Sequence, residues 1–247
     1  MNAKRVVAIM AMTVVGAALL MSAGCVRVDL DNDNEIGNDS AAIDLEGARE
    51  ADVSIDMGAG ELRIDSGATS GLMDADFTYR PASLRPEVDY TVNGDVGGLR
   101  VTTPNKPQLN WGVNQRYEWD LRFAEDVPME MTIDMGAGEA NLALGDLLLQ
   151  RLNVNLGAGD ATIDLSGEPR DDLDADINAG VGQLTLIVPR SAGVRIIGYK
   201  DGVGSYQADG FTIDGDYLVN DAYGSAAVTY DIVLRRGVGE VVIIMAD

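Results

Sequence analysis

The sequence predicts an all-β fold, a single-domain β-solenoid of the right-handed β-helix kind, and three observations predict it. Six segments place a Gly-x-Gly between two runs of alternating apolar and polar residues. In four of them the first Gly falls at 136, 157, 180 and 202, a repeat of about 22 residues. Helix signals are nearly absent, and Gly and Pro break the chain at short, even intervals.

The chain opens on Met1-Asn2-Ala3-Lys4-Arg5, a basic head, and Val6 to Gly24 follows without a charge. Basic head, apolar stretch and small residues before a cleavage point make a secretory signal. The stretch closes on Leu20-Met21-Ser22-Ala23-Gly24-Cys25. That ending resembles the lipobox of bacterial lipoproteins, in which the Cys thiol takes a diacylglycerol thioether before cleavage. The resemblance implies a signal peptide over 1–24, lipid on Cys25, palmitate among its acyl chains, and a membrane-anchored, extracytoplasmic location. Cys25 is the only cysteine, so the exported domain has no internal disulfide and must hold together by packing.

Removing Lys4 and Arg5 with the leader takes the formal charge from −22 to −24. Such acidity excludes nucleic acid as a partner, because phosphates would be repelled. It also disfavours adsorption to anionic lipid, which leaves the lipid on Cys25 as the membrane link. Residues 25–48 are rich in Asp, Asn, Gly and Ser and lack a sustained apolar period, so they read as an acidic, flexible linker. The all-β domain is then expected over 49–247.

Around each Gly pair the sidedness is consistent. Ile55-Asp56-Met57 alternates in, out, in; Glu61-Leu62-Arg63-Ile64 alternates out, in, out, in. A Gly-x-Gly between two such strands makes a tight corner, since Gly tolerates positive φ and close backbone approach. One unit cannot bury its apolar face alone, so units must stack. Short strands at this spacing also suit a two-sheet β-sandwich, which is the alternative architecture.

The break between the first Gly-x-Gly and the regular run carries Trp111, Tyr117 and Trp119. Residues 104–119 read as a loop, and these aromatics as either a contact surface for glycan or protein, or a cap over the open solenoid end. Asp171-Asp172-Leu173-Asp174-Ala175-Asp176 places carboxylates on one strand face, read chiefly as solvated surface. Asn220-Asp221-Ala222-Tyr223-Gly224 reads as a turn. The chain has no His and no second Cys, which removes Ser-His-Asp, Cys-His and the usual zinc sites. No cofactor or metal site is expected, and no enzyme activity.

An ordered series of short motifs carries a wider resemblance. It runs Gly58-Ala59-Gly60-Glu61-Leu62, Pro86-Glu87-Val88-Asp89-Tyr90, Glu118-Trp119-Asp120-Leu121-Arg122, Val127-Pro128 and Gly136-Ala137-Gly138-Glu139-Ala140. Gly157-Ala158-Gly159-Asp160, Gly182-Gln183-Leu184-Thr185, Val219-Asn220-Asp221-Ala222-Tyr223-Gly224 and Gly237-Val238-Gly239 complete it. The series resembles the toast-rack domain of LiaF-like and phage-shock-type cell-envelope proteins, many of them named as adhesins. The resemblance implies a solenoid-like domain on the envelope side of a membrane, a part in envelope-stress sensing, and an envelope protein as partner. The LiaF-like proteins carry several membrane helices; here the lipid on Cys25 would replace them.

Overall fold

Five long strands carry the fold, each bent at its Gly-x-Gly. The computed structural model describes residues 5–6, 36–104, 116–200 and 202–246. The strands are β1 (Arg5–Val6), β2 (Gly37–Ile43), β3 (Glu50–Ser66), β4 (Met73–Arg80), β5 (Glu87–Asn93), β6 (Val96–Thr102), β7 (Arg116–Phe123) and β8 (Met129–Ala143). They continue with β9 (Leu149–Asp164), β10 (Leu173–Pro189), β11 (Gly193–Ile197), β12 (Tyr206–Ala208), β13 (Thr212–Asp214), β14 (Tyr217–Val219) and β15 (Thr229–Ala246). Among the described residues the only helical element is a 3-10 turn at Ala82–Leu84.

The long strands pair in parallel in the order β3-β8-β9-β10-β15. The Gly pairs meet in register: Gly60 opposite Gly138, Gly138 opposite Gly159, Gly159 opposite Gly182, Gly182 opposite Gly239. Each strand therefore has two arms, one before the corner and one after. In β3, Val53, Ile55 and Met57 point inward before it, and Leu62 and Ile64 after it. The inward set passes from odd to even numbers, so the corner absorbs one residue, as a β-bulge does. The second Gly holds this switch at positive φ, from 128° in Gly138 to 150° in Gly239. Both arms of every coil contribute to one core, which joins Ile55, Ile133, Val154 and Ile177 to Ile64, Leu142, Ile163 and Leu186. The chain is thus a solenoid whose coils are two facing arms.

Stacking brings the first Gly of each corner close to its neighbour as well. A Cβ on Gly136 would lie 2.2 Å from the Gly58 carbonyl oxygen, and one on Gly157 2.2 Å from that of Gly136. No side chain fits there, which is why two Gly recur and not one.

The order of the coils departs from the order in the sequence. Gly202-Val203-Gly204 was expected to follow Gly180 as the next coil. Instead β15 lies against β10, and Val203 pairs with Val238 on the outer side of β15. The last segment in the sequence is inserted between the fourth and fifth. Spacing alone could not show this, because the sequence sets distance along the chain and hydrogen-bond pairing sets the neighbours.

The two ends of the stack fork. At the first, the leading arm of β3 pairs with β6 and then β5, while its second arm pairs with β7, then β4 and β2. At the other, β15 pairs with β11 through its leading arm and with β12 through its second. Asn220 locks the β14–β11 junction: buried, it accepts from the Val194 N–H at 2.9 Å and donates to the Ala192 carbonyl at 2.8 Å.

Residues 37–43, expected within the linker, form β2 and pair with β4. Ala41 and Ile43 face the core. Asp39 also faces inward and hid the alternation from the sequence. Its Oδ2 accepts from the Tyr79 hydroxyl and from Arg85 Nε, both at 2.7 Å, so the buried carboxylate is satisfied. Cys25, the leader apart from Arg5 and Val6, and residues 26–35 lie outside the described residues.

Candidate functional site

The corner stack leaves a groove of about 690 Å³ running across all five long strands. With neighbouring strands about 4.8 Å apart, five strands give it a length of about 19 Å. Its lining is set by position in the repeat. Two residues before the first Gly stand Asp56, Asp134, Asn155, Asn178 and Arg235, paired strand to strand. One residue before it stand Met57, Met135, Leu156, Ala179 and Arg236. The Gly themselves follow, and lacking side chains they make the trough.

The polar row is a hydrogen-bonded relay. Arg235 Nη1 donates to Asn178 Oδ1 at 3.3 Å, Asn178 Nδ2 to Asn155 Oδ1 at 2.8 Å, and Asn155 Nδ2 to Asp134 Oδ1 at 2.8 Å. Asp176 pairs with Arg235 from outside the row. Asn178 Nδ2 also donates to Asp176 Oδ1 at 3.1 Å, so both of its amide hydrogens are used, whereas Asn155 keeps one for a ligand. The Arg236 guanidinium donates to the Ser205 carbonyl at 2.5 Å, which ties the far end of the groove to the 203–205 segment.

The near end is closed by Leu84, Thr103 and Tyr117. Thr103 Oγ1 accepts from the Tyr117 hydroxyl at 3.0 Å and from the Gly58 N–H at 3.3 Å. Burial pushes the Tyr117 hydroxyl up to about 12, with its hydrogen bond to Thr103 acting in the opposite direction. Burial also pushes Tyr79 up to about 12, helped by its bond to the Asp39 carboxylate and by that charge. In both, the folded chain holds the proton more tightly than the unfolded chain, whose tyrosines titrate near 10. Stability from these groups is therefore present below pH 10 and lost as pH rises from 10 through 12. Melting temperature is expected to fall across that window, together with late tyrosinate absorbance; Tyr79→Phe should blunt the fall.

The sequence matches the family described as the N-terminal domain of toast_rack, DUF2154, over residues 21–187. The chain belongs to the toast-rack family. No curated protein matches it. Among solved structures, the toast-rack chain is similar to one described as a putative cell adhesion protein from Clostridium sporogenes. Identity there is 29% and the TM-score 0.82, over 86% of this chain and all of the other. A structure described as a putative adhesin from Bacteroides fragilis matches at 12% identity and TM-score 0.29, over 85% of this chain and 97% of that one.

Of the two readings of these aromatics, a contact loop or a cap over the solenoid end, the buried ring packing speaks against the first for Tyr117 and Trp119. Tyr117 and Trp119 stand in β7, and Trp119 is 1% exposed, wedged edge-on between Phe77 and Tyr117 with ring centroids at 5.7 and 5.4 Å. They serve the end of the stack, and only Tyr117 reaches the groove. Their alternation in Tyr117-Glu118-Trp119-Asp120-Leu121 was the strand signal. Trp111 lies outside the described residues. The acidic run is spread over several partners: Asp171 accepts from Gln150, Asp172 from the Thr229 N–H, and Asp176 pairs with Arg235. Among the described residues, no group of three or more His, Cys, Asp or Glu is placed to hold a metal ion. No helix among them is long and apolar enough to cross a membrane.

The groove residues were overlooked in the sequence although they carried a signal. Ile-Asp-Met-Gly, Ile-Asp-Met-Gly, Val-Asn-Leu-Gly, Ile-Asn-Ala-Gly and Leu-Arg-Arg-Gly align in all five long strands. Their outward member changes from Asp to Asn to Arg along the stack.

Proposed function

We propose that this chain is a non-enzymatic binding module of the cell envelope, exported and held to a membrane by lipid on Cys25, with the corner groove as its ligand-binding face. The observation that carries this reading is the groove itself. It is long and apolar-floored, with a continuous polar wall built from one repeat position. Apolar lining with a few convergent polar groups is the usual make-up of a ligand site. Its groups suit binding and orientation: amides and a guanidinium that hold, without a nucleophile–base pair. The leader and Cys25 support the location, and membership of the toast-rack family supports a role in envelope-stress sensing through a protein partner. The domain then comprises residues 36–247, with a tether from Cys25 shorter than expected.

A surface adhesin is the second reading, favoured by likeness to the Clostridium sporogenes protein that carries an adhesion name. Glycan binding through Trp119 loses its footing, because that indole is buried.

A photo-crosslinking residue at Leu156, on the groove, and at Val92, on the exposed side of β5, separates these readings. In intact cells the groove position should yield a defined adduct in the membrane fraction and the β5 position none. Adducts at Val92 alone would sink the groove as the binding face. Mass spectrometry of the N-terminal peptide checks the anchor: a diacylated Cys25 is expected, and an unmodified, uncleaved leader contradicts it.

A further inference from the structure

The groove is polar in one direction only. Asp56 and Asp134 stand at its near end, and Arg235 and Arg236 at its far end, with Asp176 beside Arg235. In a chain of formal charge −22, placing two adjacent arginines at one mouth of an apolar trough is a marked local reversal. The floor between is Leu156 and Ala179, half-buried and aliphatic, with Met57 and Met135 beneath it in the core, and without the aromatic faces on which sugars stack.

Building on the reading of the groove as a binding face, we propose that it takes a single acyl chain with an anionic head group. The tail lies across the strands over Leu156 and Ala179, and the head meets the guanidinium of Arg235, whose side chain is 53% exposed. The opposite orientation would set an anion against two carboxylates. Length agrees: a tetrahedral carbon chain advances about 1.25 Å per bond, so a groove of about 19 Å accepts about 15 carbons. A peptide of that length would need backbone partners, and the stacked strands spend theirs on each other.

Photoactivatable palmitate, added to membranes carrying the full-length chain, tests the assignment. Label is expected on peptides containing Leu156 or Ala179, competed by excess palmitate and at least tenfold less by hexadecanol or hexadecyltrimethylammonium. Ala179→Phe, which fills the trough, should abolish the label, and Arg235→Gln should remove the preference for palmitate over hexadecanol. Unchanged melting of each variant shows that the loss is not unfolding. If unfolding occurs, the competition series on the unaltered chain still decides. Groove label competed equally by all three amphiphiles would overturn the anionic head while leaving the groove a binding face. Label absent from the groove, with the Leu156 adduct present in cells, would overturn the acyl assignment alone.

Discussion

Gly159→Ala is expected to cost about 4 kcal/mol or more, at the diagnostic end of single-residue effects, or to prevent folding. Two independent penalties meet at this residue. Its φ of 132° is a conformation that side chains rarely adopt, worth about 1–3 kcal/mol of strain. An added Cβ would also lie 1.8 Å from the carbonyl oxygen of Gly138, well inside contact distance. That oxygen belongs to the neighbouring coil, so relief requires the β8–β9 stack to open, and with it the hydrogen bonds of the corner. Gly94→Ala is the matched control. Gly94 has φ 63° and nothing within 4 Å of an added Cβ, so only the conformational penalty, about 1–2 kcal/mol, remains. Urea unfolding of the two variants should differ by several-fold in lost stability. Equal losses would show that φ alone, and not the stacking of coils, makes the corner Gly necessary.

Trp119→Ala should cost about 3–5 kcal/mol, the range for truncating a large buried side chain and leaving a cavity. Trp119 sits in β7 between Leu62 of β3 and Phe77 of β4, so it joins the forked end of the stack to the first coil. Its edge-on contacts with Phe77 and Tyr117 add about 0.5–1.5 kcal/mol per pair beyond area burial. Tyr117 is itself tied to Thr103 and, through it, to the Gly58 N–H at the groove's closed end. Loss of the indole should therefore loosen the groove before the whole chain unfolds. Hydrogen exchange is expected to rise at Gly58 in Trp119→Ala more than at Gly180, three coils further in. Trp119→Phe keeps an aromatic edge and should lose less than half as much.

Much of the fold could be read from the chain because its repeat unit is local. Alternation fixed both arms around Gly58, Gly136, Gly157, Gly180 and Gly237, and two Gly per corner announced a bend that admits no side chain. Three features escaped for physical reasons. The insertion of β15 beside β10 is a matter of pairing between distant segments, on which the alternation within Ile232-Val233-Leu234 is silent. Strand β2 was hidden by Asp39, an inward carboxylate made tolerable only by Tyr79 and Arg85 from other parts of the chain. Tyr117 and Trp119 were read with the Pro- and Asn-containing segment before them, although their own alternation placed them in a strand. The groove belongs to none of its residues singly. Asp56, Asn155 and Arg235 look like ordinary outward positions until stacking sets them in one row.

That row exists only if the corners stack as Gly58, Gly136, Gly157, Gly180, Gly237, with Gly202-Val203-Gly204 outermost. The residue between the two Gly is exposed at the end of this stack, 57% in Val181, 53% in Val238 and 68% in Val203, so cysteines placed there can be oxidised without disturbing the core. Neighbouring strands lie about 4.8 Å apart and next-nearest about 9.6 Å, while a disulfide spans at most about 7 Å between Cα atoms. Oxidation of Val181→Cys/Val238→Cys should close a disulfide, and Val181→Cys/Val203→Cys should not. A disulfide in the second pair and none in the first would place the coils in sequence order and take away the arginine end of the groove.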